Sequence, residues 1–281
     1  MAPNNPQRIS YLGPPGTFTE EAASIYAPAA KLIPFSSNAA VADAVRAGMT
    51  EQGVLAIENS LEGSVPDTLD LLIEETTLRI FRELVIPIEH ALMTLPGTAP
   101  EEIRAIYSHP NALGQCRQFL ERCFPKAQAV AALSTAAAVQ GLQASPEPAA
   151  AIAPARAAAI YGVQILGRGI QDHSNNATRF VVLALNDSQP TGNDKTSLCF
   201  SFDQDRPGLL YKAMGVFALR DINLVKVESR PTKKSLGRYT FLVDLQGHRD
   251  DPEVQEALEI LCEDASTLKV LGSYPQFDNS Q

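Results

Sequence analysis

The chain has 281 residues, 45% of them hydrophobic and 20% charged, with 23 basic against 32 acidic side chains and a net charge of −9. This composition excludes a disordered chain, suits one large or two smaller domains, and argues against a nucleic-acid-binding surface. Four widely spaced cysteines without a CxxC pair exclude a zinc motif and a disulfide framework, and point to free thiols in a reducing cytoplasm. The opening residues MAPNNP carry no signal-peptide pattern. The most apolar stretch, Ala127–Leu142, is interrupted by Gln128, Ser134, Thr135 and Gln140 and is too polar to span a bilayer.

In chain order, Arg8–Leu12 reads as a strand, and a helix follows from about Thr19 to Tyr26. Lys31–Phe35 is a second strand, Asn38–Ala47 a second helix, Gln52–Ile57 a third strand and Pro66–Glu74 a third helix capped by Ser64. Leu78–Met93, with Pro87 inside it, reads as an extended crossover. The rhythm then restarts: strand Arg104–Ser108 before a helix opening at Pro110, Gln128–Ala131 before one at Ser134 or Thr135, and Ala150–Ala153 before one at Pro154. Arg179–Leu185 is a late strand that can return to the first set. Alternating strands and helices predict an α/β architecture, here as two lobes with a central cleft, and ligands bind at the carboxyl ends of such strands.

Residues 186–195 are polar and rich in turn formers, and read as a linker. Beyond it come strand Ser197–Phe202, helix Gly208–Leu219, strands Asn223–Ser229 and Arg238–Gln246, helix Pro252–Cys262 and strand Lys269–Ser273. That order, βαββαβ, is a ferredoxin-like unit. The domains are therefore 1–185, two α/β lobes, and 196–281, a smaller second domain.

Several helices of the first domain open directly after a strand with hydroxyl, amide or glycine residues: Gly13-Pro-Pro-Gly-Thr17, Glu58-Asn-Ser-Leu-Glu-Gly-Ser64 and Ser134-Thr135. Each alone is ordinary capping, but several converging on one cleft make a small-anion pocket. GPPG is not the dinucleotide fingerprint GxGxxG, no GxSxG is present, and the four histidines lack metal-ligand spacing. Asp172-His-Ser-Asn-Asn-Ala-Thr-Arg-Phe180 is the least ordinary segment. It reads either as a solvated loop with Asx turns or as a site offering a hydroxyl (Thr178), a fixed cation (Arg179) and an apolar wall (Phe180) to a small carboxylate.

The segments Tyr11–Phe18, Ile57–Val65, His109–Cys116, Ser134-Thr135 and Asn175–Phe180 follow the motif order of the prephenate dehydratases. Arg206–Tyr211 and Glu228-Ser-Arg-Pro231 resemble their ACT regulatory domain. The resemblance covers nearly the whole chain and implies a periplasmic-binding-protein-like catalytic domain that converts prephenate to phenylpyruvate. Because aromatisation drives the reaction, it implies neither redox cofactor nor metal. The first strand begins near Arg8, which implies an enzyme without a preceding chorismate mutase domain. Carried over by motif, Thr178 is central as a hydrogen-bond donor to the departing hydroxyl, Arg179 pairs a substrate carboxylate or holds the motif, Phe180 forms a wall, and Glu58 is an acid nearby, as is His109. Thr17, Asn59, Ser60, Ser134, Thr135 and Asn176 bind substrate. Gly208, Leu209, Leu210, Tyr211, Glu228, Ser229, Arg230 and Pro231 hold the allosteric effector L-phenylalanine where two such domains meet, in a homodimer or homotetramer of the cytoplasm. Leu209 stands where the family often has a smaller residue. Arogenate dehydratase, or a two-lobed amino-acid-binding sensor without catalysis, are the alternatives that the motifs and fold leave open.

Overall fold

The computed structural model describes residues 7–203, 206–232 and 237–277. Its chain divides into two compact units, one of residues 1–66 and 84–180, the other of residues 67–83 and 181–281. Strands Arg79–Pro87 and Ala177–Ala184 run across two of the breaks.

One sheet has the order Lys31–Phe35, Arg8–Leu12, Gln52–Asn59, Ala177–Ala184, Arg79–Pro87, with the short strand Gly63–Ser64 paired antiparallel to the end of Gln52–Asn59. Its first three strands are parallel, and helices Phe18–Tyr26 and Asn38–Arg46 pack on them. Thr17 and Ser37 cap those helices, each accepting a first-turn N–H. The expected crossover is two strands: Arg79–Pro87 in this sheet, and Ala91–Thr94 in a second one. The late strand does join the first sheet.

The second sheet runs Gln164–Arg168, Ala91–Thr94, Ala149–Ala153, Ala105–Ser108, Gln128–Ala131. Its middle strand, AAAIA, is buried at every position, and this small-residue strand packs against buried Ala138 and Val139 of helix Thr135–Gln140. A strand covered on both faces loses the polar alternation that marks a half-exposed one. The edge strand Gln164–Arg168 was not expected from the sequence.

The second unit contains the expected βαββαβ order, with sheet order Leu224–Pro231, Tyr239–Gln246, Asp194–Ser201, Thr267–Pro275, all antiparallel. Helices Leu209–Ala218 and Pro252–Asp264 cover one core around Phe200, Phe217 and Leu245. The polar segment read as a linker is pinned. Asp187 accepts from Ser273 N (3.0 Å) and Arg249 Nη1 (3.0 Å), Ser188 Oγ donates to Phe81 O (2.5 Å), and the strand already starts at Asp194. Its composition resembles that of a linker because its polar side chains are spent on hydrogen bonds within this unit.

Residues 67–83 belong to the same unit by contact as well as by clustering. Lys269 Nζ donates to the carbonyls of Leu72 (2.6 Å), Ile73 (3.1 Å) and Thr76 (2.7 Å), closing the π-helical turn Leu71–Glu75 that continues helix Pro66–Asp70. Arg230 pairs with Asp70 at 2.8 Å, and Lys195 with Glu83 at 2.8 Å. Gly272 lies so close to Ile80 that a Cβ there would fall on the Ile80 backbone. None of the helices among the described residues is long and apolar enough to cross a membrane.

Candidate active site

At the end of strand Arg8–Leu12 the chain turns through Gly13–Gly16 into helix Phe18–Tyr26. Gly16 has φ +89°, and a Cβ there would press on Ala157 and Tyr161 at 3.2 Å, so both conformation and space require glycine. Helix Arg156–Tyr161, which follows the central strand of the other sheet, grips this turn. Tyr161 Oη donates to Pro15 O (2.7 Å), and Arg156 pairs at 3.2 Å with Glu20, whose carboxylate accepts from Gly16 N at 2.6 Å. The two lobes are thus latched beside Thr17.

The strongest polar construction lies where Gln52–Asn59 and Ala177–Ala184 run side by side. Asn59 Oδ1 accepts from the backbone N–H of Leu61 and of Glu62, both at 3.0 Å. Its Nδ2 is thereby turned toward Asn176 Oδ1 (2.7 Å), Thr178 Oγ1 (2.9 Å) and Ala177 O (3.2 Å). Thr178 Oγ1 accepts from Asn59, so its own proton is left to be donated elsewhere. Ser60 ties the same two segments together, its Oγ accepting from Ala177 N (3.0 Å) and donating to Asn175 O (3.4 Å).

A cleft of about 570 Å³ opens between the lobes. Thr178, Phe180 and Asn59 line it from the first sheet, Thr17 and Phe18 from the first helix, and Ser134 and Thr135 from the second lobe. Ser134 caps its helix through Ala137 N (3.0 Å), and Thr17 caps its own through Glu20 N (3.3 Å). First-turn N–H groups have no acceptor within their helix and carry the positive end of its dipole, which suits an anion. Among the described residues on the cleft wall there is no lysine or arginine, and the one carboxylate is Glu62.

The expected site residues therefore separate into three groups. Thr178, Phe180, Asn59, Thr17, Ser134 and Thr135 share the cleft. Ser60 and Asn176 stand behind it as supports, Asn176 only 2% exposed. Arg179 and Glu58 do not reach the cleft wall. They pair with each other at 3.0 Å, the ion pair that the holding role of Arg179 calls for. The reason is strand geometry: with Thr178 and Phe180 facing the cleft, the residue between them faces the other way.

Sequence reasoning missed His90, Gln115, Glu62 and Leu133, all on the cleft wall, and gave His109 little weight although it lines the cleft and caps the following helix through Asn111 N (3.3 Å). Gln115 lies inside the quoted motif His109–Cys116, which was the available signal. His90 had none, standing just before an apolar strand. Burial holds its imidazole below the ordinary histidine range, partly offset by its bond to Gln115. Cys116 is buried behind the motif, and its thiol is pushed up to about 12, which leaves no thiolate there. No group of three or more His, Cys, Asp or Glu among the described residues could hold a metal ion.

In the second unit, Gly208, Leu209, Leu210 and Tyr211 line a smaller pocket of about 200 Å³ with Arg206, Arg238 and Tyr239. Gly208 takes φ +87° at the start of helix Leu209–Ala218. Glu228–Pro231 are not on this pocket's wall within one chain: Glu228 pairs with Lys226 (3.3 Å) and Arg230 with Asp70 (2.8 Å).

Comparison with known proteins agrees with this geometry. The prephenate dehydratase family model matches residues 9–188, and the ACT domain model residues 204–263. The bifunctional chorismate mutase/prephenate dehydratase of Aquifex aeolicus is 43% identical over 96% of this chain and 74% of its own length. The chloroplastic arogenate dehydratase/prephenate dehydratase 1 of Arabidopsis thaliana is 39% identical over 95% and 72%. Among solved structures, the prephenate dehydratase of Arthrobacter aurescens in complex with L-Phe superposes with a TM-score of 0.88 at 36% identity, covering 96% of this chain and 90% of that one. GqqA, described as a novel type of quorum quenching acylase, gives 0.87 at 32%, covering 98% and 100%. The cleft with Thr178 and Asn59 on its wall falls wholly inside the first matched stretch, and the chain belongs to the prephenate dehydratase family, with an ACT domain at its C-terminal end.

Proposed function

We propose that the cleft binds prephenate and eliminates carbon dioxide and water from it to give phenylpyruvate. The observation that carries this reading is the bond from Asn59 Nδ2 to Thr178 Oγ1, 2.9 Å long, which leaves the threonine proton for an acceptor in the cleft. In the reaction the bond from the ring to its carboxylate breaks, and its electron pair enters the ring. The C–O bond at the opposite carbon breaks as the ring becomes aromatic, and the departing oxygen takes up a proton and leaves as water. A threonine hydroxyl is a very weak acid, so Thr178 acts as hydrogen-bond donor to that oxygen as charge develops on it. Preorganised donors of this kind contribute about 10²–10³-fold. With no lysine or arginine on the wall among the described residues, the substrate carboxylates are held by hydroxyls and by the first turns of the helices after Thr17 and Ser134. Phe18, Phe180 and Ile88 supply the apolar surface against which a carboxylate is desolvated before it departs.

Residues 1–185 form the catalytic domain, and 196–281 the regulatory one. L-Phenylalanine binds at Gly208–Tyr211, completed by Glu228–Pro231 of a second copy, in a cytoplasmic homodimer or homotetramer. The complex of the Arthrobacter relative with L-Phe supports this, as does the placement of Glu228–Pro231 off the pocket wall in the single chain. A ligand that favours one subunit arrangement shifts activity by its differential affinity.

Arogenate remains the competing substrate, since an Arabidopsis relative carries both activities in its name and Glu62 on the wall suits an ammonium group. The likeness to GqqA raises acyl transfer as another reading. Against it, Thr178 has one hydrogen-bond partner among the described residues, an amide donor, and no base activates it as a nucleophile. Purified protein is offered prephenate, arogenate and an acyl-homoserine lactone, and product is followed for each. Prephenate turnover that falls by two or more orders of magnitude in a folded Thr178→Ala variant is the expected result. Turnover of the lactone alone, or a near-normal Thr178→Ala, sinks the reading.

A further inference from the structure

We infer that His90 is a positioning residue for this reaction: donating from Nε2, it anchors the far end of a relay of side-chain amides that ends on Thr178. The inference rests on the dehydratase reading and extends it to a side chain that bonds to Gln115 rather than to Thr178.

The direction of the relay follows from two backbone groups. Leu61 N–H and Glu62 N–H can only donate, so the Asn59 atom that meets them is Oδ1, and Nδ2 faces Asn176 and Thr178. Asn176 must then present Oδ1 to Asn59 and turn Nδ2 to Gln115, 2.9 Å away. Gln115 must present Oε1 to Asn176, and the same oxygen lies 2.9 Å from His90 Nε2. Only an N–H can face it. His90 is therefore protonated on Nε2. Its Nδ1 is buried without a hydrogen-bond partner among the described residues, a placement that a bare nitrogen tolerates far better than a second N–H would.

The rest of the environment holds this arrangement. His90 is 2% exposed, its ring packs edge-on against Phe18 at 5.5 Å, and its backbone N–H is anchored on Gln171 Oε1 at 3.0 Å. Burial disfavours the imidazolium, so the residue stays a single donor at neutral pH. Gln115 Nε2 also donates to Glu62 Oε1 at 3.3 Å, so without the His90 N–H the Gln115 amide keeps its orientation through that longer bond and Asn176 alone. Asn176 would then be held less firmly against Asn59, and with it the Asn59 amide that donates to Thr178.

Three variants test this with prephenate as substrate, each checked for folding by circular dichroism. His90→Gln places an amide N–H near the Nε2 position, His90→Asn is too short to reach Gln115, and His90→Phe keeps the ring without the donor. His90→Phe and His90→Asn are expected to lower kcat by about tenfold or more with KM changed less than about threefold, and His90→Gln to recover most of that loss. In a Thr178→Ala background, His90→Phe is expected to cost little further, because its effect passes through the missing hydroxyl. Equal losses in His90→Gln and His90→Asn, an unchanged kcat in either donor-less variant, or the full tenfold cost persisting without Thr178 overturn the inference. If His90→Phe does not fold, the comparison of Asn with Gln decides alone. Wild-type protein that turns over no prephenate overturns the dehydratase reading instead, so the two failures are distinct.

Discussion

Replacing Asn59 by aspartate is the sharpest test of how Thr178 is set up, because it changes one atom from donor to acceptor and leaves the shape alone. Oδ1 of the new carboxylate still accepts from Leu61 N and Glu62 N, so the loop remains held. The atom 2.9 Å from Thr178 Oγ1 becomes an oxygen, and the hydroxyl can satisfy it only by donating to it. The proton proposed for the departing oxygen is then turned away from the cleft. At the usual worth of donor or general-acid help, about 10²–10⁴-fold, the barrier rises by roughly 2.7–5.4 kcal/mol. The same oxygen faces Asn176 Oδ1, 2.7 Å away in the native protein, and relieving that contact or leaving it unpaired costs about 1–3 kcal/mol of stability. Steady-state kinetics on prephenate at neutral pH, alongside urea unfolding, read both effects. The expected outcome is a kcat down by at least about a hundredfold in a folded protein that is modestly less stable. A kcat within about threefold of the wild type refutes the argument from Thr178 polarity.

Three further outcomes follow from the packing. Lys195→Met leaves the Glu83 carboxylate, 1% exposed, without its 2.8 Å partner and is expected to cost about 3–5 kcal/mol in urea unfolding, whereas Lys195→Met with Glu83→Met returns close to the wild type. A double variant as unstable as the single one contradicts this. Gly272→Ala drives a methyl group into the Ile80 backbone and is expected to destabilise by about 1–3 kcal/mol, and an unchanged unfolding midpoint would count against that close approach. Finally, burial lowers the pKa of His90 in the folded state, so below the ordinary value of 6.5 the unfolded chain binds the extra proton first. Stability therefore falls as pH drops from about 7 toward the lowered folded value. Above that window His90 contributes no slope. His90→Phe is expected to lose part of this acid sensitivity, and identical pH–stability curves for variant and wild type would contradict the burial argument.

The alternation of strands and helices was legible because each half-buried element carries its own period, and the capping roles of Thr17 and Ser134 because a capping oxygen acts within three residues of itself. The βαββαβ order was legible for the same local reasons. What escaped is non-local. His90 meets Gln115 25 residues on, and Gln115 meets Asn176 a further 61 on, distances at which no spacing rule operates. The side on which Arg179 stands was legible as well: once Thr178 and Phe180 are set on one face of a strand, period two sends Arg179 to the other. The pinned segment around Asp187 and Ser188 shows a different limit, since turn-forming residues look alike whether water or the protein satisfies them.

The contacts of residues 67–83 bear on how such chains can be re-engineered. That stretch leaves the loop carrying Asn59 after Pro66, yet its carbonyls rest on Lys269, its Asp70 on Arg230 and its Glu83 on Lys195. The border between the modules therefore does not coincide with any single cut in the polypeptide. A fragment ending at residue 188, where the first family match stops, would strand a buried acid and an uncapped helical turn. A graft of a foreign sensor onto this scaffold would have to bring matching cations at the positions of Lys195, Arg230 and Lys269, or else rewrite 67–83 along with it.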